Sequence, residues 1–218
     1  MRAIALLGAV AVLCGCESIG RLDSSTAPPA NHTVFVIGMK PEAAKLGFAP
    51  GRIKDGAFQR DPMAIVAFAG KPENGYIVGR AKSGDMLALE TLTWLPSAGS
   101  VLAPPSFWAC GGRETLVFDT PKDAVLYLGD LEYDHDKRHF TYRSDIEQAR
   151  EFIDKHHPAL KGRLVPHGFK IYPAATGCLA VHHRSAPVSF SAPADQGCSS
   201  SSVSMSLRTI RGCRKLEL

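Results

Sequence analysis

The sequence predicts a mainly β protein with one helix, an α+β chain built on an antiparallel β-sandwich behind a flexible tether. Three observations carry that prediction. Short apolar and β-branched runs recur along the body, broken by Gly, Pro, Asn and Asp. One segment alone combines helical spacing with cap residues. The first uncharged apolar stretch, Ala3 to Cys16, has 14 residues, fewer than the ~20 that a bilayer-crossing helix needs.

Composition bounds the rest. A chain of 218 residues with 45% hydrophobic content suits one domain with tails and can bury a sizeable core. The formal net charge is +4, and the basic residues are scattered apart from the "LRTIRGCRK" stretch near the end. No basic stripe interleaved with aromatics is present, which argues against a nucleic-acid partner.

The body begins at residue 31 with "HTVFVIGM", a β-branched run. "MAIVAFAG", "YIVGRAK" and "MLALETLTWL" follow, the last two joined by Ser83-Gly84-Asp85, which has hairpin-turn chemistry. Next come "FWAC", "ETLVFDT" and "DAVLYLGDLEYD". In the last of these Val125, Tyr127, Gly129, Leu131 and Tyr133 alternate with Leu126, Leu128, Asp130 and Glu132. That is period two with both faces partly apolar, as in a strand inside a packed sandwich. Asp134 to Lys137 form a polar turn, and "RHFTYR" is the hairpin partner. Such strands need a second sheet, since otherwise Val34, Val36, Ile65, Val66, Val125 and Tyr127 would face water.

The helix spans residues 144–157. Ser144 with Glu147 three later has the capping-box pattern. Ile146, Ala149, Phe152 and Ile153 share one face, and Pro158 stops the helix after His156 and His157. It should cover an edge or end of the sandwich. "RLVPHGFKIY" is a proline-interrupted edge strand. Residues 187–218 are Ser-rich and expected to be a loosely ordered tail.

The opening residues address the protein. Arg2 supplies a charge, the apolar run is too short to span, and "Leu13-Cys14-Gly15-Cys16" ends it. This arrangement resembles the lipobox signal of bacterial lipoproteins. The resemblance implies that residues 1–15 are a cleaved signal peptide and that Cys16 carries diacylglycerol and an acylated amine. Burial is worth about 0.8 kcal/mol per CH₂, so two or three chains anchor stably. Cys14 would leave with the signal, which disfavours a Cys-x-Cys metal or redox pair. Glu17, in place of the Asp that retains such proteins at the inner membrane, implies the outer membrane, with the folded part facing the periplasm. Residues 16–30 then read as lipidated cysteine and flexible tether, since "SIGRLDSSTAPPA" has little to bury. A flexible chain of that length spans on the order of 20 Å, enough to hold the body, residues 31–186, off the membrane. Asn31-His32-Thr33 matches the glycosylation pattern, but a bacterial export signal makes it an ordinary surface sequence.

A second resemblance rests on "SGDMLALETL", "ETLVFDTPKDAVLYLGDL" and the helix ending in Pro. This order is similar to the bodies of several uncharacterised bacterial lipoprotein families. It implies a β-sandwich akin to the transthyretin-like fold. Met86 departs from their usual aromatic and Lys122-Asp123 from their Pro-Gly. The resemblance carries no catalytic residue.

No Gly-x-Ser-x-Gly, Gly-x-Gly-x-x-Gly or His-Glu-x-x-His motif occurs. "GRAKSGD" lacks the order of a phosphate loop. The metal-ligand candidates are Asp134, His135, Asp136 and His139, which put imidazole and carboxylate within one turn; as hairpin residues, whose side chains do not automatically share a face, they read more readily as a solvated turn. His182-His183 is a second such pair. Cys110, Cys178, Cys198 and Cys213 form an even set in an oxidising compartment, hence two disulfides. Of three pairings, Cys110–Cys178 with Cys198–Cys213 is favoured, the tail closing a loop of about 15 residues worth roughly 3 kcal/mol. Free buried thiols are the alternative. No motif calls for a cofactor. Two functions remain: a non-catalytic lipid-anchored envelope module that binds a protein, glycan or cell-wall partner, or a metal-assisted hydrolase using Asp134, His135 and His139.

Overall fold

A computed structural model describes residues 19–95, 105–177 and 189–191. Two β-sheets pack face to face and one helix lies outside them. The strands are β1 (His32–Lys40), β2 (Ala44–Lys54), β3 (Ala57–Arg60), β4 (Phe68–Gly70), β5 (Tyr76–Lys82), β6 (Met86–Trp94) and β7 (Pro105–Trp108). After them come β8 (Glu114–Asp119), β9 (Val125–Asp134), β10 (His139–Arg143), helix α1 (Ile146–His156), β11 (Leu164–Pro166), β12 (Lys170–Pro173) and β13 (Ser189–Ser191). The six-stranded sheet has the order β13-β10-β9-β1-β5, with β11 also on β9. The seven-stranded sheet runs β12-β8-β6-β2-β3, with β4 on β2 and β7 on β6.

The α+β sandwich stands, but it is mixed rather than antiparallel. β1 and β9 pair in parallel, as do β11 with β9 and β13 with β10. The reason lies in the connections. β8 belongs to the opposite sheet, so the chain re-enters beside the start of β1, where the Val34 N–H donates to the Ala124 carbonyl at 2.9 Å. A strand arriving from the other sheet is not bound to reverse direction as a hairpin partner is.

The Ser83–Asp85 turn is such a crossing, and not a hairpin. β5 pairs with β1, whereas β6 pairs with β2 in the other sheet. Two buried threonines hold it. The Thr120 hydroxyl lies 2.8 Å from the Lys82 carbonyl and 2.7 Å from that of Asp85, and the Thr33 hydroxyl donates to the Pro121 carbonyl at 2.6 Å. Two-residue hairpin turns occur instead at Asp55-Gly56, between β2 and β3, and at Asn74-Gly75, where Glu73 and Tyr76 exchange backbone hydrogen bonds.

The inner faces enclose Phe35, Ile37, Leu128 and Phe140 from one sheet and Leu46, Phe48, Leu89, Phe107 and Phe118 from the other, all 2% exposed or less. Rings of Phe35 and Phe118 lie 5.3 Å apart, and those of Phe48 and Phe118 meet edge-on at 5.6 Å. The outer face of the six-stranded sheet is also covered. Val34, Val36, Tyr76, Val78, Val125 and Tyr127 pack under Ala149 and Ile153 of α1, with Leu160, Leu164 and Leu22. The helix therefore lies on a face, not on an edge or end.

Strand β9 shows how one strand serves both layers. Its alternation breaks at Gly129, where the pairing with β1 slips by one residue. Val125 and Tyr127 face the helix, while Leu131 and Tyr133 turn inward. Gly129 has φ +106°, and an added Cβ would stand 2.2 Å from the Tyr142 ring, so only glycine fits this bulge.

Four other expectations are corrected. The tether is not free over its whole length. Ile19 exchanges backbone hydrogen bonds with Ala69, both 2.9 Å, the Leu22 N–H donates to Val78, and Leu22 is 2% exposed. Burial of Leu22 and the backbone bonds to β4 and β5 together dock it. "MAIVAFAG" is strand only at Phe68–Gly70; Met63 and Ile65 are 90% and 81% exposed, so Ile65 does not enter the core. "RLVPHGFKIY" forms two strands, since it crosses from β9 to β8 between Pro166 and Lys170. Ser189–Ser191 pairs with β10, and Phe190 stacks on Phe140 at 5.1 Å, so this part of the Ser-rich tail is sheet. The rest of residues 187–218, and residues 1–18, lie outside the described residues. No helix among the described residues is long and apolar enough to cross a membrane.

Candidate functional site

The histidine hairpin does not gather its side chains. His135 lies on Trp94, ring centroids 4.8 Å apart and nearly parallel. His139 points to the β13 side, its ring nitrogens 2.7 Å from the Ser189 hydroxyl and 2.9 Å from that of Ser191. Asp134 turns its carboxylate onto the turn itself, accepting from the backbone N–H of Asp136 and Lys137 and pairing with the Lys137 ammonium at 2.9 Å. The Lys137 N–H and ammonium hold the Asp134 carboxyl below its usual range. These are the bonds of a solvated turn that fixes its own shape. Among the described residues no group of three or more His, Cys, Asp or Glu is placed to hold a metal ion. His182 and His183 lie outside the described residues.

A different place has the geometry of a site. The ends of β1, β9 and β10, the start of α1 and the turn before β5 surround a cleft of about 610 Å³. Lys40, Asn74, Tyr76, Asp130, Glu132, Arg143 and Asp145 line it. Asp130 is its central group. It stands opposite Gly38 of β1 and Arg143 of β10 in the register. A Cβ at position 38 would fall 1.9 Å from the Asp130 carboxylate, so the glycine makes the space that the carboxylate fills.

The Asp145 N–H donates to the Tyr127 oxygen at 2.9 Å, and both groups lie beside the Asp130 carboxylate and favour its charged form. Asp145 itself caps α1 by accepting from the Gln148 N–H at 3.2 Å. The capping residue is thus one position later than Ser144, and Glu147 pairs with Arg150 rather than closing a capping box. Desolvation raises the Asp130 pKa against these hydrogen bonds. Burial, with the carboxylates of Asp130, Asp145 and Glu151 nearby, pushes the Tyr76 hydroxyl up to about 12. Arg143 and Glu132 pair across the rim at 2.9 Å, both more than half exposed. A rim pair of this kind is easily exchanged for a ligand. The cleft offers both charge signs, the Asn74 and Gln148 amides and the Tyr76 and Ser144 hydroxyls. Groups of these kinds can hydrogen-bond or ion-pair with a polar ligand.

These residues escaped the sequence reading, which took β9 only for its apolar period. The signal was there in "YLGDL", a carboxylate flanked by apolar residues and next to the glycine that bends the strand.

A smaller cleft of about 300 Å³ adjoins the first, with Arg21, Asp23, Glu73, His156 and His157 on its walls. Arg21 and Glu73 form an ion pair across it. His157 is 8% exposed, and burial followed by the His156 and Arg21 charges lowers its pKa.

Cys110 is 2% exposed and disulfide-bonded. Its partner lies outside the described residues, as do Cys16, Cys178, Cys198 and Cys213. The Gly111 N–H donates to the Thr176 carbonyl at 2.7 Å, which brings the segment preceding Cys178 alongside Cys110. No family model, curated protein or solved structure matches the chain.

Proposed function

We propose that this protein is a lipoprotein of the bacterial envelope, acylated at Cys16 and held at the outer membrane, whose sandwich is a non-catalytic binding module facing the periplasm. The observation that carries the reading is the run from Ala3 to Cys16, closed by Leu13-Cys14-Gly15-Cys16. Its ligand site is the Asp130 cleft, and mixed charge suits a glycan or peptide of the cell wall better than an anionic or apolar ligand. The hydrolase alternative finds no support in the hairpin, because Asp134, His135 and His139 each face a different neighbour.

Growth with a labelled fatty acid tests the anchor. The label is expected on the wild type and on Cys14→Ser, and lost in Cys16→Ser; label retained by Cys16→Ser defeats the reading. Calorimetric titration with solubilised peptidoglycan fragments tests the cleft. Binding heat that disappears in Arg143→Ala supports it, and equal heat in both proteins moves the site elsewhere.

A further inference from the structure

Ile19 docks on β4 three residues after the cysteine that carries the lipid in this reading. Only Glu17 and Ser18 intervene, and three residue steps reach about 10 Å at most. The body therefore cannot hang on a 20 Å tether. The surface around Ile19 must lie against the leaflet that holds the acyl chains.

That surface is not an ordinary polar one. The backbone carbonyl of Ala67 stands within 2.4 Å of where a Cβ on Gly20 would be, so the chain leading into β4 runs beside residues 19 and 20. Two residues before Ala67 is Ile65, and two before that is Met63. They are 81% and 90% exposed, the most exposed large apolar side chains among the described residues, and Ile19 is 43% exposed.

Their display is held in place. The Asp61 carboxylate accepts from the Met63 N–H at 3.0 Å, and its carbonyl accepts from the Ala64 N–H at 3.2 Å. Arg60 donates to the Ala64 carbonyl at 3.3 Å and is itself tied to Glu90 at 2.7 Å. The Asp61 N–H donates to Pro50 at 3.0 Å. A loop pinned at its base presents two large apolar side chains outward without a partner in the fold. Ordering them costs little on binding, because the backbone is already ordered.

We propose that Met63, Ile65 and Ile19 are the membrane-contacting surface of the body, inserted into the lipid leaflet beside the Cys16 anchor. This inference rests on the lipoprotein reading. It sets the orientation of the domain: the β4–β5 edge faces lipid, and the opposite edge, formed by β10 and β13, faces away. Lipid is the occupant that the chain length favours, since the anchor leaves too little slack for a second protein between the loop and the membrane.

The test uses the acylated full-length mature protein in vesicles of phosphatidylethanolamine and phosphatidylglycerol with brominated acyl chains. Tryptophan is placed at Met63→Trp, at Ile65→Trp and, on the far edge, at Asp136→Trp. Each is compared with the parent, whose own tryptophans give the background. Bromine should quench the added emission at positions 63 and 65 and leave that at 136 intact. Equal quenching at all three, or none at 63 and 65, overturns the orientation. Emission at 63 and 65 that is shielded from acrylamide yet indifferent to bromine overturns it in favour of a protein contact. Fatty-acid labelling of the same samples separates the two readings: no label at Cys16 removes the lipoprotein itself, whereas label without quenching removes the orientation alone.

Discussion

The two faces of the six-stranded sheet are built on different principles. The inner face is hydrocarbon against hydrocarbon: Phe35 touches the rings of Phe48, Phe68 and Phe118 at 5.3 to 6.0 Å, and strands far apart in sequence supply them. The outer face is covered by peripheral pieces, namely Leu22 before the first strand and Ala149, Ile153, Leu160 and Leu164 after the last central one. It also carries a polar set, buried Tyr127, half-buried Asp130 and the Asp145 N–H. Apolar burial is non-directional, so the inner face makes the domain stable without fixing where a helix must sit. Hydrogen bonds are directional, and those on the outer face set the helix start over one point of the sheet. That same point is the wall of the cleft. Stability and site thus occupy opposite sides of one sheet.

The largest effect should come from the inner face. Phe35→Ala removes a fully buried ring at the centre of the aromatic cluster, a change that costs about 3–5 kcal/mol. Urea unfolding should show a midpoint shift of that size, with the cleft lost only on global unfolding. Leu22→Ala on the outer face should cost less, about 2 kcal/mol, the low end of the Leu→Ala range, because its segment can lift away instead of leaving a cavity. Trypsin should then cut faster after Arg21. If Leu22→Ala destabilises as much as Phe35→Ala, the outer layer is part of the main core and the contrast fails.

Most strands and the helix with its apolar face were legible in the sequence, but β2, which brings Leu46 and Phe48 to the inner core, was not. Neither was the placing of Val34, Val36, Val125 and Tyr127 under the helix instead of against the second sheet. Alternating apolar residues in "HTVFVIGM" and "DAVLYLGDLEYD" reveal strands because period two is a local property. Which sheet a strand joins is not local. Ser83-Gly84-Asp85 has the composition of a hairpin, yet Thr33 and Thr120, distant in sequence, hold it as a crossing. Docking of Leu22 and Phe190 draws on few apolar residues in polar stretches, below what composition detects. Asp130 was hidden for the converse reason. A carboxylate in the middle of a largely apolar strand gains meaning only when Gly38, Tyr127 and Asp145 surround it. His135 and His139 attracted attention because ligand-type residues cluster in sequence, but neighbouring residues of a hairpin need not share a direction.

The helix start gives a smaller effect. Asp145→Ala removes the cap bond to Gln148, and loss of such a cap costs typically about 1 kcal/mol. Ser144→Ala should be close to neutral, since Asp145 is the capping residue. Thermal unfolding of both variants decides between the two positions. The reverse ranking would restore the capping box at Ser144 and detach the cap from the Tyr127–Asp130 set.

The smallest effect, and the one most particular to the outer face, is pH dependence. Burial raises the pKa of Asp130 above the ordinary carboxylate value. Between those two values the folded protein holds a proton that the unfolded chain has released. The Asp130 contribution to stability therefore falls as pH rises from the ordinary carboxylate range through the raised pKa and recovers as pH drops. Glu90, also raised by burial, contributes in the same direction from the other sheet. His157, whose pKa burial lowers, contributes in the opposite direction below the ordinary histidine value. Asp130→Asn keeps an oxygen to accept from Tyr127 and removes the charge. Its stability curve should be flatter across that window, with part of the slope surviving through Glu90. Urea midpoints measured at intervals from mildly acidic to neutral pH provide the test. An undiminished slope in Asp130→Asn would remove Asp130 as a source of the pH sensitivity. The polar set of the outer face would then shape the cleft without influencing the protein's response to pH.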